Sequence, residues 1–310
     1  MTAVSSGRVL SFVALFALGV GWGLTIPMAK IAVSTGHLPF GLIFWQLVVV
    51  VLFLGALTLL RGKPVMMGRR YLRLFVVVAL FGAVLPDIFY YLSAIHLPGG
   101  IMAITATCTT MFALPIAIFL GTERFENLRF LGLIFGFIGI LLLVAPEASL
   151  PMGTSAFWVL IALCGPALYA TEGNLVAHWG TQDLDPLQVV LGASLIGLIF
   201  AAPLALVTGQ WINPLAGFGK AEAALVCGAA LHAIVYAGYV WLVGRAGSVF
   251  AAQSAYIVTA FGVLSSMVLL SESYSHWVWL ALAVMMLGMF LVQPRPAKRV
   301  APAAGLGESG

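Results

Sequence analysis

Apolar side chains come in long runs in this chain, separated by short segments where Gly, Pro, Ser and charged residues concentrate. Ten runs follow one another: Val9 to Val33, Pro39 to Leu60, Leu72 to Ile95, Ile101 to Leu120, Phe130 to Val144, Ser155 to His178, Leu187 to Thr208, Ala223 to Leu242, Ser248 to Leu270, and Trp277 to Gln293. A helix of roughly 20 apolar residues crosses a hydrocarbon layer of ~30 Å, and each run reaches that length once the shortest are extended into their flanks. None shows the alternation of a barrel strand. The pattern therefore predicts an all-α membrane protein with ten transmembrane helices. The first run follows Arg8 as a signal peptide would, but it stays apolar well beyond a cleavable core and is read as helix one.

The runs repeat. From Leu120 to Val144 an apolar run ends, Glu123 sits in a polar turn, and a second run begins that carries Gly132, Gly136 and Gly139 at helical spacing. Sliding the chain so that Glu123 falls on Glu272 also superimposes Leu120 on Leu269, Leu131 on Leu280, Gly139 on Gly288 and Leu142 on Leu291. A fainter echo places Gly21 to Val33 on Gly165 to Ala177. Residues 1–146 are thus expected to form one five-helix repeat, 147–293 a second, and 294–310 a tail. Five is odd, so the second repeat must be inverted relative to the first, an architecture common in secondary transporters.

Composition agrees: 62% of residues are hydrophobic and 8% charged, with mean hydropathy +1.12. No soluble domain of this size keeps so little charge on its surface. If the N-terminus is cytoplasmic, the basic residues collect in cytoplasmic ends and loops, leaving only Lys30 and Lys220 of the fourteen towards the outside. Both termini are then expected in the cytoplasm, in a multi-pass protein of the cell (inner) membrane. The net charge of +4 reads as a topology signal facing anionic headgroups, with no nucleic-acid partner implied. Cys108, Cys164 and Cys227 all fall inside apolar runs and suggest neither disulfides nor a metal site.

Ionisable groups deep in a span need a reason. Asp87 lies past the middle of helix three with Tyr90 and Tyr91 three and four residues on, so that a phenol reaches its carboxyl on one face. Glu172 lies in the inner part of helix six. Both are candidates for proton coupling or for helix packing. His232, Tyr236 and Tyr239 form one stripe on helix eight, read as a cavity wall because three polar aromatics should not face lipid. Lys30 either snorkels to the headgroups or faces an anionic substrate group. Gln46 and Gln253 are lining or interhelical candidates, while Glu123 and Glu272 are expected to cap the helix that follows each.

The pair Trp22-Gly23 with Lys30, Pro115 followed by Glu123, the run Gly132 to Gly139, and its echo in Glu272 and Gly288 resemble the drug/metabolite transporter superfamily, in its ten-helix EamA-type branch. The likeness covers residues 9 to 293. It departs at Gln46, where such proteins often carry a basic residue, and at Leu264, the counterpart of Pro115. The resemblance implies a central cavity ringed by helices one, four, six and nine. Trp22, Tyr169, Tyr256 and Thr110 fall there at similar depth, and with Asp87, Tyr91, His232, Tyr236 and Tyr239 they make up the expected substrate site for a small amphipathic, amino-acid-like metabolite, with export as the expected direction.

No Gly-x-x-x-x-Gly-Lys phosphate loop occurs, so neither ATP nor another cofactor is implied. The competing reading is an intramembrane enzyme, using Ser194 with His232 or Asp87 with Glu172. A metabolite importer is the other alternative.

Overall fold

The computed structural model describes residues 2–145, 149–150, 154–246 and 248–292, and every regular element among them is helical. Nine helical spans are long and apolar enough to cross a membrane, and His276–Val292 is apolar but shorter. In chain order the helices are α1 (Thr2–Val33), α2 (Pro39–Leu60), α3 (Arg69–His96), α4 (Gly99–Phe119), α5 (Asn127–Val144), α6 (Ala156–Trp179), α7 (Pro186–Val207), α8 (Lys220–Ala246), α9 (Ser248–Ala252 and Ser254–Leu270) and α10 (His276–Val292). The expected spans are all present with ends displaced by a few residues. The expected tail, 294–310, lies outside the described residues.

Local sequence sets the helix ends. α2 and α7 begin on prolines, which lack only an N–H that the first turn leaves unused. Ahead of α7, Asp185 accepts the Leu187 N–H at 3.0 Å while Gln188 accepts the Asp185 N–H at 2.9 Å, a reciprocal cap. After α4 the chain turns through Gly121 at φ +72°, where a side chain would be strained.

Three helices are interrupted, α3 and α4 near mid-length and α9 close to its start. α3 widens into a π-helical turn at Leu80–Val84 just before Pro86, which has no N–H to offer the helix. α4 is broken at Thr107, and α9 at Gln253. Broken helices in a membrane are tolerated where they line a site or are enclosed by protein.

Loops joining odd to even helices gather at one end, here called the odd end. There His37 pairs with Glu222 at 2.6 Å, the Phe40 N–H donates to Gln210 Oε1 at 3.0 Å, and Ser275 Oγ donates to Ser149 O at 3.0 Å. The remaining loops meet at the even end, where Arg61 pairs with Asp185 at 3.0 Å, Arg70 with Asp183 at 2.9 Å, and Arg129 Nε donates to Val292 O at 2.9 Å.

The two acidic turns work differently from expectation. Glu272 caps α4 and not α10: its carboxylate accepts the Gly99 N–H at 2.9 Å and the Gly100 N–H at 3.3 Å, because the left-handed turn at Ser271 folds the chain back over the start of α4. Tyr274 OH donates to the same carboxylate. Glu123 stays with the next helix, but through the Arg129 side chain at 2.9 Å.

The principal helix pairings are reciprocal between the halves. α5 packs along α10, and α2 along α7; α1 lies against α8 and α9, as α6 lies against α3 and α4. The α5–α10 seam is the glycine stripe: a Cβ on Gly132 would lie 2.7 Å from Gly288 O, and one on Gly139 would lie 2.1 Å from Met285 Cγ. Small residues let these backbones approach closely.

Burial divides the two ends. A single apolar cluster draws on all ten helices, mostly through their odd halves, from Ile26, Leu42 and Leu97 to Ile101, Val159 and Val263. The even halves hold three separate clusters. One joins α3 to α7 around Phe75, one joins α2, α7 and α8 around Leu54 and Leu191, and one joins α1, α8 and α9 around Leu15 and Leu242.

Candidate substrate-binding site

Asp87 follows the π-turn and Pro86 directly, which places its carboxyl at the middle of the bundle, 6% exposed. Gln46 Nε2 on α2 donates to Asp87 Oδ2 at 2.7 Å, and Tyr169 OH on α6 donates to Oδ1 at 2.9 Å. Tyr91 OH donates to Gln46 Oε1. Four side chains from three helices thus form one chain of hydrogen bonds, with Asp87 and Tyr91 buried and Gln46 and Tyr169 half-buried.

Tyr91 therefore does not reach Asp87 directly. It shares a helix face with the carboxyl, as its spacing requires, but the Gln46 amide from α2 lies between them. Gln46 is the residue that sequence reasoning undervalued. An amide within an apolar run carries no periodic signal, and its position opposite Asp87 arises only when α2 meets α3.

A second group assembles between α1 and α8. Trp22 Nε1 donates to His232 Nδ1 at 3.2 Å, and the indole meets the His232 and Tyr239 rings edge-on, with centroids 5.6 and 5.7 Å away. Because Nδ1 accepts, the ring hydrogen of a neutral His232 sits on Nε2. Tyr236, about 40° round α8 from His232, packs on the α2–α7–α8 cluster and makes no ring contact with Trp22.

Glu172 lies one turn after Tyr169 and is half-buried, its Cγ 3.0 Å from where a Gly82 Cβ would stand, over the π-turn of α3. Its carboxyl has no hydrogen bond or ion pair among the described residues. Tyr256 packs against the odd-end cluster with its hydroxyl buried and unpartnered among the described residues. Thr110 donates to Thr107 O at 2.9 Å, bridging the break in α4. Lys30 is committed elsewhere, its Nζ donating to Ala94 O at 2.7 Å and Ile95 O at 3.5 Å, where it closes the last turn of α3.

Neither enzyme pairing is assembled. His232 takes the Trp22 indole, and Asp87 takes Tyr169 and Gln46 in place of a second carboxyl. No cluster of three or more His, Cys, Asp or Glu side chains suited to a metal ion occurs among the described residues.

The chain matches the model of the EamA-like transporter family twice, over residues 9–145 and again over 156–293. Among solved proteins, one crystal structure is similar over 93% of this chain and 96% of its own, with 19% identity and a TM-score of 0.62, a likeness of fold alone. The comparison with curated proteins returns no match.

Proposed function

Because the chain belongs to the EamA-like transporter family, we propose that it is a secondary transporter carrying a small amphipathic, amine-bearing metabolite by alternating access, most simply an amino-acid-like compound moved outwards. The reciprocal helix pairings support two inverted repeats. The even end carries Arg61, Lys63, Arg69, Arg70, Arg73, Arg124, Arg129 and Arg245, which supports a cytoplasmic even end, cytoplasmic termini and a place in the cell's inner membrane.

One observation carries the substrate reading. Asp87 near the middle of its span and Glu172 in the inner part of α6 lie close to Tyr side chains with no basic side chain paired to either, since Lys30 is spent on α3 carbonyls. A carboxylate in a membrane takes a cationic partner, and here that partner is brought in, as a proton or as an ammonium group. Aromatic faces around an ammonium add further attraction. Asp87, held by two donors, is the coupling carboxyl; Glu172, unpartnered, receives the amine. Tyr256 OH offers a donor to the other end of the substrate.

The test is transport in proteoliposomes. Asn keeps the size of a protonated Asp87 and one acceptor for Tyr169 but cannot titrate. Asp87→Asn should therefore retain substrate exchange while losing accumulation driven by an imposed pH gradient. Transport by the unaltered protein that ignores the gradient, or a full response from the Asn variant, removes Asp87 from coupling.

A further inference from the structure

Away from the central groups, a cleft of about 640 Å³ opens at the even end between α2, α7 and α8. Its walls are the apolar side chains of Leu57, Leu187, Ala237 and Val240. Its rim is of another character: Trp241, 45% exposed, and the guanidinium groups of Arg61 and Arg245. Along α8 the stretch from Ala237 to Arg245 rises about 12 Å, so the cleft runs from hydrocarbon depth up to the helix end. A water-soluble ligand has nothing to bind in its lower part.

The cations are not equivalent. Arg61 is held by Asp185 at 3.0 Å, and Lys63 approaches the same carboxylate at 3.6 Å. Arg245 is exposed, lies 5.5 Å over the Trp241 ring, and has no carboxylate partner among the described residues. Asp185 offsets Arg61 while Arg245 has no such partner, so the rim keeps a positive balance. Such a balance above an apolar slot, with an indole at the boundary, is complementary to an acyl chain below a phosphate.

We infer that this cleft holds one anionic phospholipid, its acyl chain along Leu57, Leu187 and Val240 and its phosphate on Arg245. The site is separate from the Asp87 and Trp22 groups, and the inference does not depend on what the protein transports.

Native mass spectrometry of the purified full chain, with matched-chain phosphatidylglycerol and phosphatidylcholine supplied together, tests it. The protein should retain one phosphatidylglycerol in preference to phosphatidylcholine. Arg245→Gln should weaken that retention about fivefold, the contribution of one basic side chain near an anionic headgroup, while leaving phosphatidylcholine unchanged. Arg245→Lys should keep most of the preference, and because Arg245 is exposed at a helix end, both variants should elute as the unaltered protein does. In bilayers, brominated phosphatidylglycerol should quench an emission component that Trp241→Phe removes. Equal retention of the two lipids, or an unchanged preference in Arg245→Gln, overturns the proposal. Cross-linking of two copies through a cysteine at Val240 would place a second chain in the cleft and overturn it as well.

Discussion

At the odd end α1 packs against α3 and α4, and Lys30 ties it to the last carbonyls of α3; at the even end α6, the counterpart of α1, has little backbone approach to α8 or α9. The main seams of the two halves are reciprocal; the likeness breaks here and where α10 packs on α4 with no comparable packing of α5 on α9. Burial follows the same line, with one continuous cluster through the odd halves and three separate ones through the even halves. If the protein alternates as proposed, two related halves arranged unequally at their two ends would correspond to a state closed at the odd end.

The largest effect expected from this difference is in chemical access. With the native cysteines replaced by alanine, a cysteine at Tyr239 should react with a water-soluble maleimide added at the even end. A cysteine at Ala94, fully buried in the odd half, should stay unmodified on the same timescale. Equal reaction at both positions would mean that the odd half is as open as the even half, and the comparison would fail.

An intermediate effect is expected from the Lys30 clasp. Hydrogen bonds from a charged donor are worth about 1.5–3 kcal/mol each. The second carbonyl, at 3.5 Å, adds little. Lys30→Met keeps the apolar stem and removes the donor, so closure of the odd end should weaken by about 1.5 kcal/mol, roughly tenfold in population. Labelling of the Ala94 cysteine should rise by a similar factor with the amount of folded protein unchanged. A labelling rate that does not move would make Lys30 a cap of α3 and nothing more.

Much of this fold was legible in the sequence, for reasons that mark where legibility stops. Bilayer thickness dictates run length, so the ten spans could be placed to within a few residues. The paired Glu turns exposed the duplication. By contrast, the partner of Glu272 is the start of α4, far away in the chain, and nothing at residue 272 encodes it. Asp87 and Trp22 could be singled out because a carboxyl and an indole are conspicuous at that depth. The bridging role of Gln46 and the packing of Tyr236 against α2 and α7 depend on how helices rotate against one another, which hydrophobic runs alone leave undetermined. Which end is the more continuously packed was not legible at all, because runs of apolar residues do not specify how the two halves meet at either end.

The smallest expected effect lies at the even end, in the ion pair between the α2–α3 and α6–α7 loops. Partial burial would raise the Asp185 carboxyl, but the Leu187 N–H and the neighbouring Arg61 and Lys63 outweigh it and hold the group below its usual range. A carboxyl with a lowered folded value contributes stability that is fully present above its unfolded value, ~3.9, and is lost as pH falls through the folded value. The thermal midpoint in detergent should therefore lose this contribution only below about pH 4, in the direction of acid. Asp185→Asn separates the two roles of the side chain, because Asn caps a helix as well as Asp but cannot pair with Arg61. Near neutral pH the variant should be less stable by under ~1 kcal/mol, the usual worth of a partly exposed pair. Its midpoint should then fall less steeply between pH 5 and pH 3 than that of the unaltered protein, pH values chosen to bracket ~3.9. Identical acid profiles would show that the tie between these loops rests on the Gln188 hydrogen bond to Pro64 O, 2.7 Å long, and that the ion pair adds nothing to how the even end is held.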